Sequence, residues 1–331
     1  MNGKDMKKNI VIIGLGSMGK RRIRLLKELY PENRYIGIDS NIDRAIAVRD
    51  EYNMDVFRSL DELQQGEIFA AFICTSPKSH ATLIEQCLMK GWHVFTEINL
   101  LSDKYEENIE LAKRMNRTLF LSSTTIYKEE IRYIAKRVQE TQGKKAYSYH
   151  VGQYLPDWHP WDILKDFFVS DKATNGCREL MAIEFPWMLN TFGKVIDMHV
   201  IHQTLTGLNL GFPDTYLIQF EHENGIIGNV MIDVVSRQAV RRLEIIGENL
   251  YITWNGTPDT LYEKNLDNGQ LTCVHAGEYI HDERYGSFIN EYAYMQEIEE
   301  FFKVIEGKTA CYGFEDDLNT LSLIDQIEGK V

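Results

Sequence analysis

The stretch NIVIIGLGSMGKRR, Asn9–Arg22, decides the fold. Ile10, Val11, Ile12 and Ile13 form a short β-branched apolar run suited to a buried strand. Gly14, Gly16 and Gly19 follow in G-x-G-x-x-G spacing, and Ile23, Leu25, Leu26 and Leu29 then recur at helical spacing. Strand, glycine turn and helix together are the context in which this spacing signals a dinucleotide site. Gly14 permits the tight turn, Gly16 lets a pyrophosphate approach, and Gly19 lets helix and strand pack closely. Ser17 and Met18 complete the turn at the helix N-terminus, where phosphate oxygens meet free backbone amides.

Outward from this segment the pattern repeats. RYIGID, IFAAFICT, HVFTEI and TLFLSS read as further buried strands, separated by helical patterns at about 41–52, 79–90 and 103–116. Apolar strands alternating with helices predict a doubly wound parallel sheet over residues 1–123, a Rossmann domain of α/β class. After Ser123 the grammar changes. A helix at about 127–140 leads to KAYSYHVGQYL, the aromatic loop PDWHPWD and a helical stretch around 176–192. From about 194 to 273 the pattern is mostly extended, with Asn-Gly turns in HENG and LDNG, so residues 124–331 read as an α+β domain with a large, mostly antiparallel sheet. Helical patterns near 287–306 and 316–328 close the chain.

Composition narrows the partners. The chain has 331 residues, 44% hydrophobic and 26% charged, with a formal net charge of −13. That charge disfavours nucleic acid and anionic membranes and points to a small-molecule partner. Five cysteines without a Cys-x-x-Cys pair signal neither a disulfide framework nor a thiolate zinc site, and a reducing cytoplasm is the expected location. No apolar run reaches the ~20 residues of a membrane span. His199 and His202, three apart in an extended pattern, point to opposite faces, so no metal is expected.

The cofactor expectation extends beyond the glycines. Asp39 ends the second strand, where a carboxylate accepts hydrogen bonds from a ribose 2′-hydroxyl and repels a 2′-phosphate. This favours NAD, while Arg44 nearby leaves NADP open; read alone, Asp39 could equally cap the next helix. Thr75, Ser76 and Pro77 end the next predicted core strand, with His80 leading into a helix, and Glu97 ends the strand of GWHVFTEINLL, Gly91–Leu101. Ligands bind beyond the carboxyl ends of parallel strands, so all of these are expected at one crevice, with Glu97 near the nicotinamide ribose or ring.

In this order, IGLGSMGKRR, CTSPKSH, GQYLPDWHPWD, GIIGNVMID and RRLEIIGE resemble the glucose-fructose oxidoreductase / inositol dehydrogenase (Gfo/Idh/MocA) family over nearly the whole chain. The resemblance implies an NAD(P)-binding Rossmann domain before an open-faced sheet used for substrate binding and oligomerisation. It also implies oxidation or reduction of a hydroxyl or carbonyl on a sugar, cyclitol or nucleotide sugar. Three departures stand out. The family's Glu-Lys-Pro is matched here by Glu97, Ile98 and Asn99; its Asp and His, three apart on a helix, by Leu180 and Ile183; and an arginine by Ile126 or Tyr127.

Hydride transfer from an alcohol needs a group that takes the hydroxyl proton, and neither leucine nor isoleucine serves. The candidates are His159, between two tryptophans and suited to a sugar ring; Glu184 and Glu179, beside the altered helix face; and Tyr127. Each also has a structural reading: a histidine wedged by aromatics, or glutamates ion-paired on a helix. Pro186 should kink or start a helix near Glu184. Arg237, Arg241 and Arg242 could bind an anion or pair with surface acids. Two further readings are a non-catalytic dinucleotide- or sugar-binding protein and a redox-neutral enzyme that keeps NAD bound. A homo-oligomer, dimer or tetramer, is expected from the uncovered sheet face.

Overall fold

The computed structural model describes residues 7–63, 67–158, 167–284, 286 and 288–330. It separates into two compact units. The first is Met1–Ser123 with Met295–Leu318, and the second is Thr124–Tyr294 with Asn319–Val331. The first unit thus takes in a segment from near the end of the chain that the sequence pattern had placed in a continuous 124–331 domain.

In the first unit, strands β1 (Asn9–Ile13), β2 (Arg34–Ile38), β3 (Asp55–Phe57), β4 (Ala70–Ile73), β5 (His93–Thr96) and β6 (Leu119–Leu121) form a parallel sheet in the order β3-β2-β1-β4-β5-β6. Helices α1 (Ser17–Leu29), α2 (Ile42–Tyr52), α3 (His80–Met89) and α4 (Tyr105–Met115) connect them. The switch in strand order falls between β1 and β4, where an open parallel sheet offers its ligand crevice. Phe72, Phe95 and Phe120 lie side by side in register on β4, β5 and β6, with ring centroids 4.6 and 5.3 Å apart. Phe301, from the returning segment, meets all three rings at 5.3–5.7 Å and closes this part of the core. The aliphatic rows of β1 and β4 are completely buried, as a sheet covered on both faces requires.

The second unit opens with α5 (Glu129–Glu140) and is built on an eight-stranded sheet. Its strands are β7 (Lys145–Gly152), β8 (Val195–Gln203), β9 (Thr215–His222), β10 (Ile227–Asp233), β11 (Val240–Gly247), β12 (Leu250–Trp254), β13 (Tyr262–Lys264) and β14 (Leu271–Cys273). The order is β14-β13-β12-β11-β7-β10-β9-β8, and all neighbours are antiparallel except β7 and β10. One face is covered by α6 (Gly176–Phe192) through aromatic contacts. Tyr147 stacks on Phe192 at 3.9 Å, Tyr149 meets Trp187 edge-on at 5.4 Å, and Phe185 meets Phe220 at 5.8 Å. Gly228 makes room for the Tyr147 ring, since a Cβ there would lie 2.1 Å from it. Alternate positions on the other face, including Ile201, Leu217, Ile227 and Ile246, are exposed. Pro186 neither starts nor ends a helix: it lies buried inside α6.

Two last helices, α7 (Glu291–Ile305) and α8 (Phe314–Ile327), contribute to the returning segment. Among the described residues, no helix is long and apolar enough to cross a membrane, and no three His, Cys, Asp or Glu side chains cluster as metal ligands.

Candidate functional site

The three glycines of the first turn are there for different reasons. Gly14 has φ +89°, and a Cβ on it would stand 2.8 Å from the Cys74 carbonyl and the Thr75 methyl. A Cβ on Gly19 would stand 2.0 Å from the Gly14 carbonyl oxygen, because α1 begins hard against β1. The chain itself therefore demands both. Gly16 differs: its φ of −72° suits any residue, and its missing Cβ would meet only the Arg44 guanidinium, at 3.9 Å. Among the described residues nothing requires glycine there, so the approach over Gly16 is open to a group from outside. That group is anionic by the logic of the site. No side chain caps α1, and its first turn carries no acidic residue, so the amides after Gly16 face the opening with the positive end of the helix dipole. These residues fit a dinucleotide pyrophosphate.

Around this turn the structure brings most of the expected residues together. Gly14 donates to Ile38 at the end of β2, and Cys74 donates to Ile13, so the strand ends carrying Asp39 and Thr75 flank the glycine turn. Asp39 is buried and acts first as an organiser: its carboxylate accepts from the Leu15 amide at 2.8 Å and the Asn41 amide at 2.9 Å, and it pairs with Arg44 at 3.2 Å. The helix cap expected as its alternative role belongs to Asn41, which accepts from the Arg44 amide. Thr75 shares a hydrogen bond with Ser79 at 2.7 Å, Ser76 is exposed, and Pro77 is buried at the start of a short 3₁₀ turn. His80 is a structural part of this loop. Its Nε2 lies 2.9 Å from the Thr75 carbonyl and its Nδ1 2.6 Å from Asn99 Oδ1, and burial lowers its pKa.

Glu97 is engaged differently from the expectation of a carboxylate facing nicotinamide. It is 7% exposed and turns inward to a bidentate pair with Arg22 of α1, at 2.6 and 3.2 Å. Arg22 is fully buried, lies 4.5 Å over the Phe95 ring, and also reaches Glu297 at 2.7 Å. Glu297 accepts in addition from the Ser122 hydroxyl and the Ser123 amide. Beyond the end of β5, Glu97 is held by Arg22 and Asn99 by His80, with the half-buried Ile98 between them in sequence.

In the second unit, Glu184 proves to be a core carboxylate. It has no exposed surface and accepts from Tyr149 Oη at 2.8 Å, Trp187 Nε1 at 2.7 Å and Arg241 Nε at 2.9 Å. Burial pushes its pKa up, but the Arg241 charge and these donors outweigh it and hold the carboxyl below its ordinary range. A carboxylate so held is a poor proton acceptor. Arg241 is correspondingly spoken for; Arg237 lies 3.8 Å over the Tyr154 ring, and Arg242 sits on the uncovered sheet face opposite His150. Tyr127 is buried, and His159 lies outside the described residues.

Glu179 is the contrasting case. It stands one helical turn before Ile183 on the partly exposed side of α6, yet its Oε2 is shielded from solvent with no hydrogen-bond partner among the described residues. Burial raises its pKa to about 8. Sequence reasoning missed Lys128, whose buried ammonium donates to the Phe288 carbonyl at 3.0 Å; burial, then the Arg241 charge, lowers its pKa to about 8. A lysine before an amphipathic helix gives no such signal in the sequence.

Comparison with known proteins agrees with this geometry. Residues 8–123 match the family described as oxidoreductase family, NAD-binding Rossmann fold (GFO_IDH_MocA). Human biliverdin reductase A is 27% identical over 144 residues, 42% of this chain and 47% of the relative; the mouse protein is 29% identical over 134 residues, 39% and 44%. The matched segment spans about half the length of these relatives. Similar folds include an Agrobacterium radiobacter oxidoreductase in complex with NAD+, L-tartaric acid and magnesium, with TM-score 0.80, 13% identity, and 98% and 97% of the two chains covered. UDP-N-acetylglucosamine 3-dehydrogenase from Acidithiobacillus ferrooxidans follows at TM-score 0.76, 18% identity, and 98% of each chain. Levoglucosan dehydrogenase in complex with NADH gives 0.79, 16%, and 98% and 96%. The glycine turn, its helix and the parallel sheet behind them are thus the part of the chain that matches the NAD-binding Rossmann fold of the Gfo/Idh/MocA oxidoreductase family, over residues 8–123.

Proposed function

We propose that the protein is an NAD(P)-dependent oxidoreductase that converts a hydroxyl to a carbonyl, or the reverse, on a sugar, cyclitol or nucleotide sugar, with Glu179 as proton carrier. The observation that carries the cofactor half is Gly16, open to an outside group beside an uncapped helix N-terminus. The substrate class is supported by the sugar-related dehydrogenases among the similar folds. The bound nicotinamide supplies a hydride acceptor in oxidation and a donor in reduction.

The chain's own residues divide the remaining work. The α1 amides and Gly16 would hold the pyrophosphate, Asp39 fixes the turn that would receive it, and the Thr75–Pro77 loop, braced by His80, flanks that turn. With an alcohol substrate, Glu179 would be the group that takes the O–H proton in oxidation and returns it in reduction. A pKa near 8 suits both directions. Glu184 stays ionised and orients Tyr149, Trp187 and Arg241.

The test is Glu179→Gln. Dinucleotide binding should persist while turnover with a sugar substrate falls at least 100-fold; unchanged turnover would remove Glu179 from the mechanism. Leu180 and Ile183, where the family carries an Asp and a His, favour a second reading as a binding protein without turnover. That reading expects dinucleotide retention and no change in nicotinamide absorbance with any substrate. The protein is also read as a homo-oligomer joined through the uncovered sheet face. At ~4.8 Å per strand and ~3.3 Å per residue that face measures on the order of 800 Å², similar to the ~800 Å² per partner of a standard interface. Five free cysteines, three of them buried, fit a reducing cytoplasm.

A further inference from the structure

We propose that Asn99, Tyr105 and Asp317 are positioning residues for the nicotinamide half of the dinucleotide: acting through His80, they hold the Thr75 carbonyl, and with it the Thr75–Pro77 loop, at one place beside the glycine turn. The inference rests on the dinucleotide reading above and goes beyond it in assigning a role to residues behind the loop.

The strand order tells which half of the dinucleotide this loop serves. In a Rossmann sheet the adenosine ribose lies at the carboxyl end of the second strand, here β2, and the pyrophosphate lies over the turn after the first. The order β2-β1-β4-β5 then leaves the ends of β4 and β5 to the nicotinamide half. Thr75 lies two residues past β4, and a Cβ on Gly14 would stand 2.8 Å from its methyl group. The loop is thus flush against the glycine turn, and any displacement of it changes the space left for a ligand.

A row of buried polar groups holds the loop from behind. The Thr75 carbonyl can only accept, so the His80 Nε2 at 2.9 Å carries a proton. The other ring nitrogen lies 2.6 Å from the side-chain amide of Asn99, a group that can donate to a bare nitrogen or accept from a protonated one. Asn99 is also hydrogen-bonded to the Tyr105 side chain, and Tyr105 Oη donates to Asp317 at 2.6 Å. Burial and then the Asp317 charge push the Tyr105 pKa well up, so the hydroxyl keeps the proton it donates. Asp317 accepts in addition from Tyr312 Oη at 2.7 Å. His80, Asn99, Tyr105 and Asp317 are all buried, and a satisfied buried row of this kind rigidifies what it touches. Asn99 stands where the resembled family carries the proline of Glu-Lys-Pro, a residue with no side-chain amide to offer His80. The row therefore belongs to this chain's own sequence, and it ends on the segment that returns to the first unit from near the end of the chain.

Calorimetric titration of the full chain with NAD+ and 5′-AMP, together with nitrogen-15 NMR of the His80 ring, tests this. The wild-type ring should carry its proton on Nε2; a ring protonated on Nδ1 alone would overturn the relay. Asn99→Ala and Tyr105→Phe should each weaken NAD+ at least fivefold, while 5′-AMP, which ends short of the loop, changes less than twofold. Tyr105→Phe removes one hydroxyl and keeps the ring against Phe314, 4.7 Å between centroids, so it reads the relay even where Asn99→Ala fails to fold. Equal losses for the two ligands, or NAD+ affinity unmoved in Tyr105→Phe, would overturn the positioning role and leave the dinucleotide reading intact. A wild type that binds neither ligand would overturn both together.

Discussion

Replacing Glu179 by glutamine should make the protein more stable and less active at once. In the folded chain the carboxyl has a pKa raised from 4.5 to about 8 by burial. At ~1.36 kcal/mol per pH unit, that corresponds to about 4–5 kcal/mol against the ionised form. The side chain is partly exposed even though Oε2 is shielded, so water screens some of this, and about 2–3 kcal/mol is the working figure. Between pH 4.5 and 8 the unfolded chain has lost this proton while the folded chain retains it. Stability from the group is therefore complete below pH 4.5, falls as pH rises, and is gone above about 8. Glutamine cannot ionise, and it keeps the size and a donor. Urea unfolding midpoints measured by circular dichroism at pH 5 and pH 8.5 read the effect directly. The variant should match the wild type closely at pH 5 and exceed it by about 2–3 kcal/mol at pH 8.5. Equal differences at the two pH values, or a variant weaker at pH 8.5, would refute the premise that burial holds this carboxyl in its neutral form.

Three other outcomes follow from the geometry. Gly16→Ala should fold normally, since its Cβ meets only the Arg44 side chain, yet lose at least tenfold in dinucleotide affinity; Gly19→Ala, 2.0 Å from a carbonyl oxygen, should fail to fold, and the two are compared by expression, circular dichroism and calorimetry. Arg22→Met leaves Glu97 and Glu297 buried without their cation and should cost about 3–5 kcal/mol, much of it recovered when both glutamates are also changed to glutamine; a triple variant no more stable in urea than the single one would contradict this. The rate of alcohol oxidation should rise with pH to a plateau above about 8, as Glu179 becomes ionised, and the rise should vanish in Glu179→Gln; a flat wild-type profile would exclude that residue as the base.

Much of the architecture was legible in the sequence because hydrophobic runs report burial directly. NIVII, AAFI and HVFT are strands where the apolar residues predicted them, and α6 occupies the predicted 176–192. β3 escaped notice because it is three residues long, at a sheet edge, and none of its residues is fully buried. Periodicity gave α7 an apolar face but no address, so Phe301 could not be assigned to the aromatic row on the first sheet. The same limit applies to charges. Glu97 and Glu184 were visible as carboxylates in promising places, but what they do depends on Arg22, 75 residues earlier, and Arg241, 57 residues later. Asp39 was readable as a strand-end acid, whereas its hold on the Leu15 amide, which makes it part of the turn, requires the strands to be paired. Glu179 is distinguished by an Oε2 that is shielded and unpartnered among the described residues, and no spacing rule encodes that.

The Phe301 contact bears on when the protein can fold. A ribosome makes the strands carrying Phe72, Phe95 and Phe120 early, but the ring that covers them and the Glu297 carboxylate that reaches Arg22 emerge only after more than 170 further residues. Until then the nascent Rossmann sheet has an uncovered aromatic row and an incompletely matched buried arginine. A portion synthesised early is thus completed by one made much later, and a chain terminated before Met295 would carry the expected cofactor-binding residues on a sheet that lacks its closing piece.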